Sequence, residues 1–286
     1  MGKNLRQNGQ TVLVVRHLSI QFTQYERGWR QKSFEMIRDL NLEVAAGELV
    51  AVVGSSGSGK SLLAHAVMGL LPYNAQWTGE MEYCGETLDE KRLKKLRGNE
   101  IALVPQSVSC LDPLMKVGEQ VRMGRKDRES RACCRAALGR YGLGEDTENR
   151  YPFELSGGMA RRVLISMAVQ KQPRLLIADE PTPGLHAEAA KRVMGHFREI
   201  ADEGTGVLLI THDLEQAIAV ADRIVVFYAG TDLENVAAAD FADENLLRHP
   251  YTRALYRAMP QNGLLTVPGT LPYEKQSRVT GKEVTG

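Results

Sequence analysis

The sequence predicts an α/β domain built on a mostly parallel sheet with helices on both faces. Three observations predict it. Runs that are apolar on both faces recur at Glu48–Val53, Leu175–Ala178, Val207–Ile210 and Ile224–Phe227, as strands buried on two sides should be. Helix-like segments alternate with them at Ser61–Leu71, Met159–Gln170, Ala187–Ala201 and Leu214–Ala221, the pattern of crossover units. The first buried run also leads straight into a glycine-rich loop that opens a helix.

The elements follow in order. Val12–Phe22 partly alternates apolar with polar residues and reads as a half-buried strand, a texture that Met36–Ala45 repeats before a turn at Ala46-Gly47. The helix from Ser61 is expected to run to Leu71 and stop at Pro72. Lys91–Arg97 is a basic run read as a solvated helix face, since no aromatics interleave it. From Leu111 to Tyr151 the composition is helical, with breakers at Gly118, Gly124, Gly142 and Gly144. Beyond Pro260 the chain turns polar and breaker-rich, and its last dozen residues are expected to be mobile.

Composition narrows the class. The 286 residues, 43% hydrophobic and 25% charged with a formal net charge of +1, suffice for one large domain with an appendage or two modest ones. A near-neutral balance gives no reason to expect nucleic acid as a partner. No run approaches the ~18 apolar residues of a bilayer span. The N-terminus has a basic start without an apolar core, so no secretory signal is expected and a cytosolic polypeptide is. Cys84, Cys110, Cys133 and Cys134 show no CxxC spacing and read as reduced thiols.

The chemistry begins at Gly54-Ser55-Ser56-Gly57-Ser58-Gly59-Lys60-Ser61, which fits G-x-x-x-x-G-K-[ST] between a buried strand and a helix start. Its glycines let backbone N–H groups converge on phosphate oxygens at a helix N-terminus. Lys60 is placed to reach the β- and γ-phosphates, and the Ser61 hydroxyl to ligate Mg²⁺. The run Leu175–Ala178 ends in Asp179-Glu180. Successive strand side chains diverge, so Asp179 can serve Mg²⁺ while Glu180 polarises the attacking water as general base. Together these point to a P-loop protein that binds a nucleoside triphosphate.

A second element, Leu155-Ser156-Gly157-Gly158-Met159, lies between loop and carboxylates. With Val104-Pro105-Gln106 and Ile210-Thr211-His212-Asp213, it makes the chain resemble an ATP-binding cassette (ABC) transporter ATPase over roughly residues 10 to 260. The resemblance implies a RecA-like core with an N-terminal antiparallel β subdomain and a helical signature subdomain. It places the ATPase domain at residues 1–250, the helical subdomain at about 107–165, and a short, partly mobile extension at 251–286. It also implies that Gln106 touches Mg²⁺ and the attacking water, that His212 contacts the γ-phosphate, and that Ser156, Gly157 and Gly158 cap ATP held by a second subunit. Phe22 resembles the adenine-stacking aromatic, with Tyr25 as its rival.

The stretches Leu111–Gln120, Tyr151-Pro152-Phe153 and His249–Leu255 resemble the oligopeptide, dipeptide and nickel importer branch, where methionine at position 159 is usual. Two departures stand out. No cysteine follows Cys134, whereas many members of that branch carry a C-terminal cysteine cluster, and Val267-Pro268-Gly269 looks like a remnant of that extension. His186 stands where the family's D-loop normally ends in Asp, which puts equal catalysis at two ATP sites in doubt.

The expected function is thus the ATP-hydrolysing subunit of a bacterial importer of peptides, nickel or metal chelates. The expected cofactors are ATP and Mg²⁺. The expected partners are a second, related ATPase subunit and two membrane permease subunits, with an extracellular binding protein acting indirectly. The expected location is peripheral, on the cytoplasmic face of the membrane. The alternatives are a non-transport ABC ATPase and a subunit that binds ATP but hydrolyses it weakly. A P-loop kinase or GTPase would need neither the signature nor His212.

Overall fold

Alternation in the N-terminal segment becomes two long antiparallel strands, β1 (Thr11–Tyr25) and β2 (Gln31–Ala45), paired from Thr11↔Ala45 to Tyr25↔Gln31. The computed structural model describes residues 9–25, 31–55 and 57–262. A third strand, β4 (Ala75–Tyr83), pairs with the other side of β1, and β5 (Glu86–Thr87) extends it, giving the order β2-β1-β4-β5. The sequence reading left β4 out for a physical reason. Of its residues only Met81 and Tyr83 are buried, so its polar first half carries no core signal.

The second sheet holds β3 (Leu49–Val53), β6 (Ile101–Val104), β7 (Leu175–Asp179), β8 (Gly206–Thr211), β9 (Arg223–Tyr228) and β10 (Thr231–Ala237). Their order is β10-β9-β3-β8-β7-β6, parallel throughout except at β10. Every residue of β3, β7 and β8 is buried, as expected for strands covered on both faces. β3 shows how its two faces are shared. Leu49, Ala51 and Val53 pack into one core with Val163, Phe197 and Ala217, whereas Val50 and Val52 join Leu63 and Val67 against the antiparallel sheet.

Eight α-helices among the described residues surround the sheets: α1 (Lys60–Val67), α2 (Glu90–Leu96), α3 (Val117–Val121), α4 (Arg128–Arg140), α5 (Gly157–Val169), α6 (Ala187–Asp202), α7 (Leu214–Val220) and α8 (Pro250–Arg257). The first is shorter than Pro72 alone suggests. Gly69 adopts φ +60° and the Leu70 N–H donates to the His65 carbonyl at 2.7 Å, so a left-handed glycine ends α1 before the proline is reached. The basic run forms α2, with Leu93 and Leu96 buried while Lys91, Lys94 and Lys95 stay exposed. Residues 111–151 contain less helix than their composition implies, only α3 and α4 with short 3₁₀ turns. Gly118 lies inside α3 because a Cβ there would approach the Glu148 carbonyl oxygen to 2.8 Å.

Past β10 the chain folds back on its own sheet. Glu234 accepts hydrogen bonds from the N–H groups of Arg248 (2.7 Å) and His249 (3.0 Å), and Tyr228 stacks obliquely on Tyr251 with centroids 4.2 Å apart. The first part of the C-terminal extension is thus held to the core, with Met259 buried. Its remainder, including Val267-Pro268-Gly269, lies outside the described residues. Among the described residues, no helix is long and apolar enough to cross a membrane.

Candidate nucleotide site

The parallel register decides where the site lies. Val53 is paired with Thr211 and Asp179 with Ile210, so the segments leaving β3, β7 and β8 emerge side by side at the C-terminal ends of these central strands. Gly54, the first residue of the loop, passes so close to β9 that a Cβ would sit 2.1 Å from the Phe227 carbonyl oxygen. Gly57 and Gly59 take φ of +76° and +99°, the left-handed conformations that curl the loop back before α1 begins at Lys60. Ser56 lies outside the described residues; Ser55 and Ser58 line the turn, with the Ser58 N–H donating to the Ser55 carbonyl at 3.3 Å.

Lys60 bends over this loop. Its Nζ donates to the carbonyls of Gly54 and Ser55, both at 2.8 Å, and lies 3.8 Å from Glu180 Oε1. Burial pushes its pKa down, and Glu180 and Asp179 oppose that shift. One position on, the Ser61 hydroxyl donates to Asp179 Oδ1 at 2.9 Å. Burial raises the Asp179 pKa, the Ser61 hydrogen bond works against the rise, and the neighbouring Glu180 adds to it.

Asp179 and Glu180 do diverge, but a strand pleat is not the cause. β7 ends at Asp179, and Glu180 adopts φ +43°, rare for a residue with a side chain. Its N–H donates to the Ile210 carbonyl at 2.8 Å, which fixes the turn, and its Oε2 lies 2.7 Å from His212 Nδ1. Strained backbone of this kind persists only where surrounding structure holds it. His212 is half exposed beyond β8, and Asp213 caps α7 by accepting from the Gln216 N–H at 2.9 Å.

A cavity of about 640 Å³ opens over these groups, lined by Lys60, Ser61, Gly57, Gly59, Gln106 and Glu180 on one side and by Phe22, Gln24, Phe34 and Met36 on the other. Phe22 and Phe34 are cross-strand partners in β1 and β2. Phe34 lies ahead of the expected second strand, Met36–Ala45, and its period-two spacing from Met36 is the signal that marks it. Of Tyr25 only the backbone is described, opposite Gln31. The signature does not reach this cavity. Ser156 caps α5 by accepting from the Met159 N–H at 3.3 Å, and Ser156 and Gly157 are exposed while Gly158 is half-buried. His186 is an exposed N-cap of α6 whose side chain makes no capping bond.

A phosphate loop, two acids on a strand end and a detached signature are the parts of an ATP-binding cassette. A family model described as ABC transporter matches residues 37–183. The chain belongs to the ABC transporter family and is an ATPase. It is 35% identical to the oligopeptide transport ATP-binding protein OppD of Bacillus subtilis (strain 168), over 91% of this chain and 77% of that one. To the protein of the same name from Escherichia coli (strain K12) it is 37% identical, over 82% of this chain and 75% of that one. Its fold is similar to a dimeric ATP-binding cassette solved in a post-hydrolysis state bound to ADP and Pi, with a TM-score of 0.68 and 27% identity over 79% of this chain and 98% of that one.

The buried acid generates a stability prediction. Because the folded pKa of Asp179 lies above the ordinary value of 3.8, its contribution to stability is present below that value and is lost as pH rises through the folded one. By pH 7, well above the ordinary value, burial of this group is a net cost. Asp179→Asn is therefore expected to raise the urea midpoint of the nucleotide-free chain at pH 7 while leaving it unchanged near pH 3. An equal or lower midpoint at pH 7 would contradict this reading.

Proposed function

We propose that this chain is the ATP-hydrolysing subunit of a bacterial importer, and that peptides, the cargo named for its relatives, are what the importer carries rather than nickel or metal chelates. The observation that carries the reading is the separation of two half-sites. Lys60, Ser61, Asp179, Glu180 and His212 converge at the C-terminal ends of the central strands, while the signature lies exposed and away from the cavity that Lys60, Ser61 and Glu180 border. An exposed signature has a use when a second ATPase subunit presents its nucleotide to it.

In this reading the loop backbone and Lys60 hold the phosphates, and Phe22 and Phe34 flank the base. The hydroxyl of Ser61 and the carboxylate of Asp179 are hard oxygen donors already adjacent, a fitting pair for Mg²⁺, with Gln106 completing the approach. When bound, that ion neutralises charge developing on the phosphate oxygens. Glu180 takes the proton of the attacking water, and its contact with His212 fixes the direction of its free lone pairs. Ser156, Gly157 and Gly158 serve the nucleotide of a second, related ATPase subunit. Two membrane permease subunits sit above the pair on the cytoplasmic face of the membrane, and an extracellular binding protein delivers the peptide.

Glu180→Gln keeps the shape and loses the base. In the assembled complex it is expected to bind ATP normally and to hydrolyse it about 10²–10⁴-fold more slowly; near wild-type turnover would remove Glu180 from the role. The purified chain alone is expected to be a poor ATPase whose rate rises on assembly with a second ATPase subunit and the permeases, and full peptide-stimulated turnover by a monomer would refute the shared-site reading. His186 predicts unequal sites, since an imidazole ring cannot replace a two-oxygen anionic acceptor. Restoring the acid with His186→Asp, and inactivating the catalytic glutamate of each site in turn, should bring the two rates together; an unchanged ratio would leave the inequality unsupported.

A further inference from the structure

Arg161 lies four residues into the signature helix from Gly157, one turn along α5. It is only 3% exposed, and its guanidinium does not pair with a carboxylate among the described residues. Instead it grips the backbone of the Gln106 loop: Nη1 donates to the Pro105 carbonyl at 2.5 Å and Nη2 to the Gln106 carbonyl at 2.6 Å. These carbonyls lie just past the end of β6, where the ladder has stopped and Pro105 has no N–H to offer. The next residue, Arg162, faces elsewhere, donating to the Tyr141 carbonyl at 2.9 Å. Neighbouring arginines thus anchor the same helix to two different bodies.

We infer that Arg161 is a positioning residue: its planar fork holds two successive carbonyls, sets the path on which Gln106 enters the nucleotide cavity, and ties that loop to the helix bearing Ser156–Gly158. A fork constrains both carbonyls at once, which an ammonium or a neutral side chain does not. Few waters compete for the bonds at such low exposure, and the charge they satisfy has been taken out of water at a cost.

This rests on the ATPase reading, so turnover of the wild-type complex is measured first; its absence would overturn that reading and the inference with it. With an active wild type, Arg161→Met in the complete complex is expected to lower kcat about 10²-fold through misplacement of Gln106, with KM for ATP little changed. Arg161→Lys should recover part of the loss. The decisive readout is a cycle with Gln106→Ala: if Arg161 acts through Gln106, adding Arg161→Met to that variant costs little more. Should the methionine variant fail to fold, as judged by its unfolding midpoint and ATP binding, the lysine variant carries the same cycle. Losses that multiply independently, or an unchanged kcat, would overturn the inference.

Discussion

The site depends on the register of three parallel strands. Because Val53 pairs with Thr211 and Asp179 with Ile210, the first residues beyond β3, β7 and β8 are neighbours whatever lies between them in sequence. Gly54, Glu180 and His212 come from points up to 158 positions apart (212 minus 54) and meet at the C-terminal ends of the central strands. A slip of one residue in any of these strands would turn its inward side chains to the opposite face and carry its terminal group away from the other two. The uninterrupted burial of β3, β7 and β8 makes such a slip costly.

On that frame the protein gathers charges that an ordinary core would exclude. Lys60, Asp179 and Glu180 are each at most 6% exposed, and burial disfavours the ionised forms of both Lys60 and Asp179. Their mutual attraction and the Ser61 hydroxyl offset part of this, and the left-handed turn at Glu180 adds local strain. Taken alone this is poor design for stability. It makes sense as a site whose stabilising partners, phosphate oxygens and a cation, arrive from outside.

Much of this was legible before any coordinates. Residues 54–61 and Asp179-Glu180 could be read because their chemistry forces a local order of strand, glycines, lysine and acids. The buried runs of the large sheet could be read because burial on both faces leaves no polar interruption. What escaped was of another kind. β4 hides because most of it is exposed, Phe34 because a strand start has no sharp signal, and the early end of α1 because a proline masked the glycine ahead of it. Arg161 is the sharpest case. An arginine beside a glycine-rich signature looks like surface charge until the fold carries the Pro105 and Gln106 carbonyls to it.

The folded-back lysine has a thermodynamic corollary. Lys60 is not an idle cation waiting in solvent, for two carbonyls of its own loop already occupy two of its three donors. In the proposed site, nucleotide entry is an exchange reaction, in which phosphate oxygens replace backbone carbonyls around an ammonium that is already buried. The dehydration of that ammonium is settled during folding and drops out of the binding equilibrium. What the nucleotide contributes at this contact is the difference between a charged and a neutral acceptor, and that difference grows with each phosphate. On the proposed reading, the loop grades triphosphate above diphosphate with no change in the shape of its backbone.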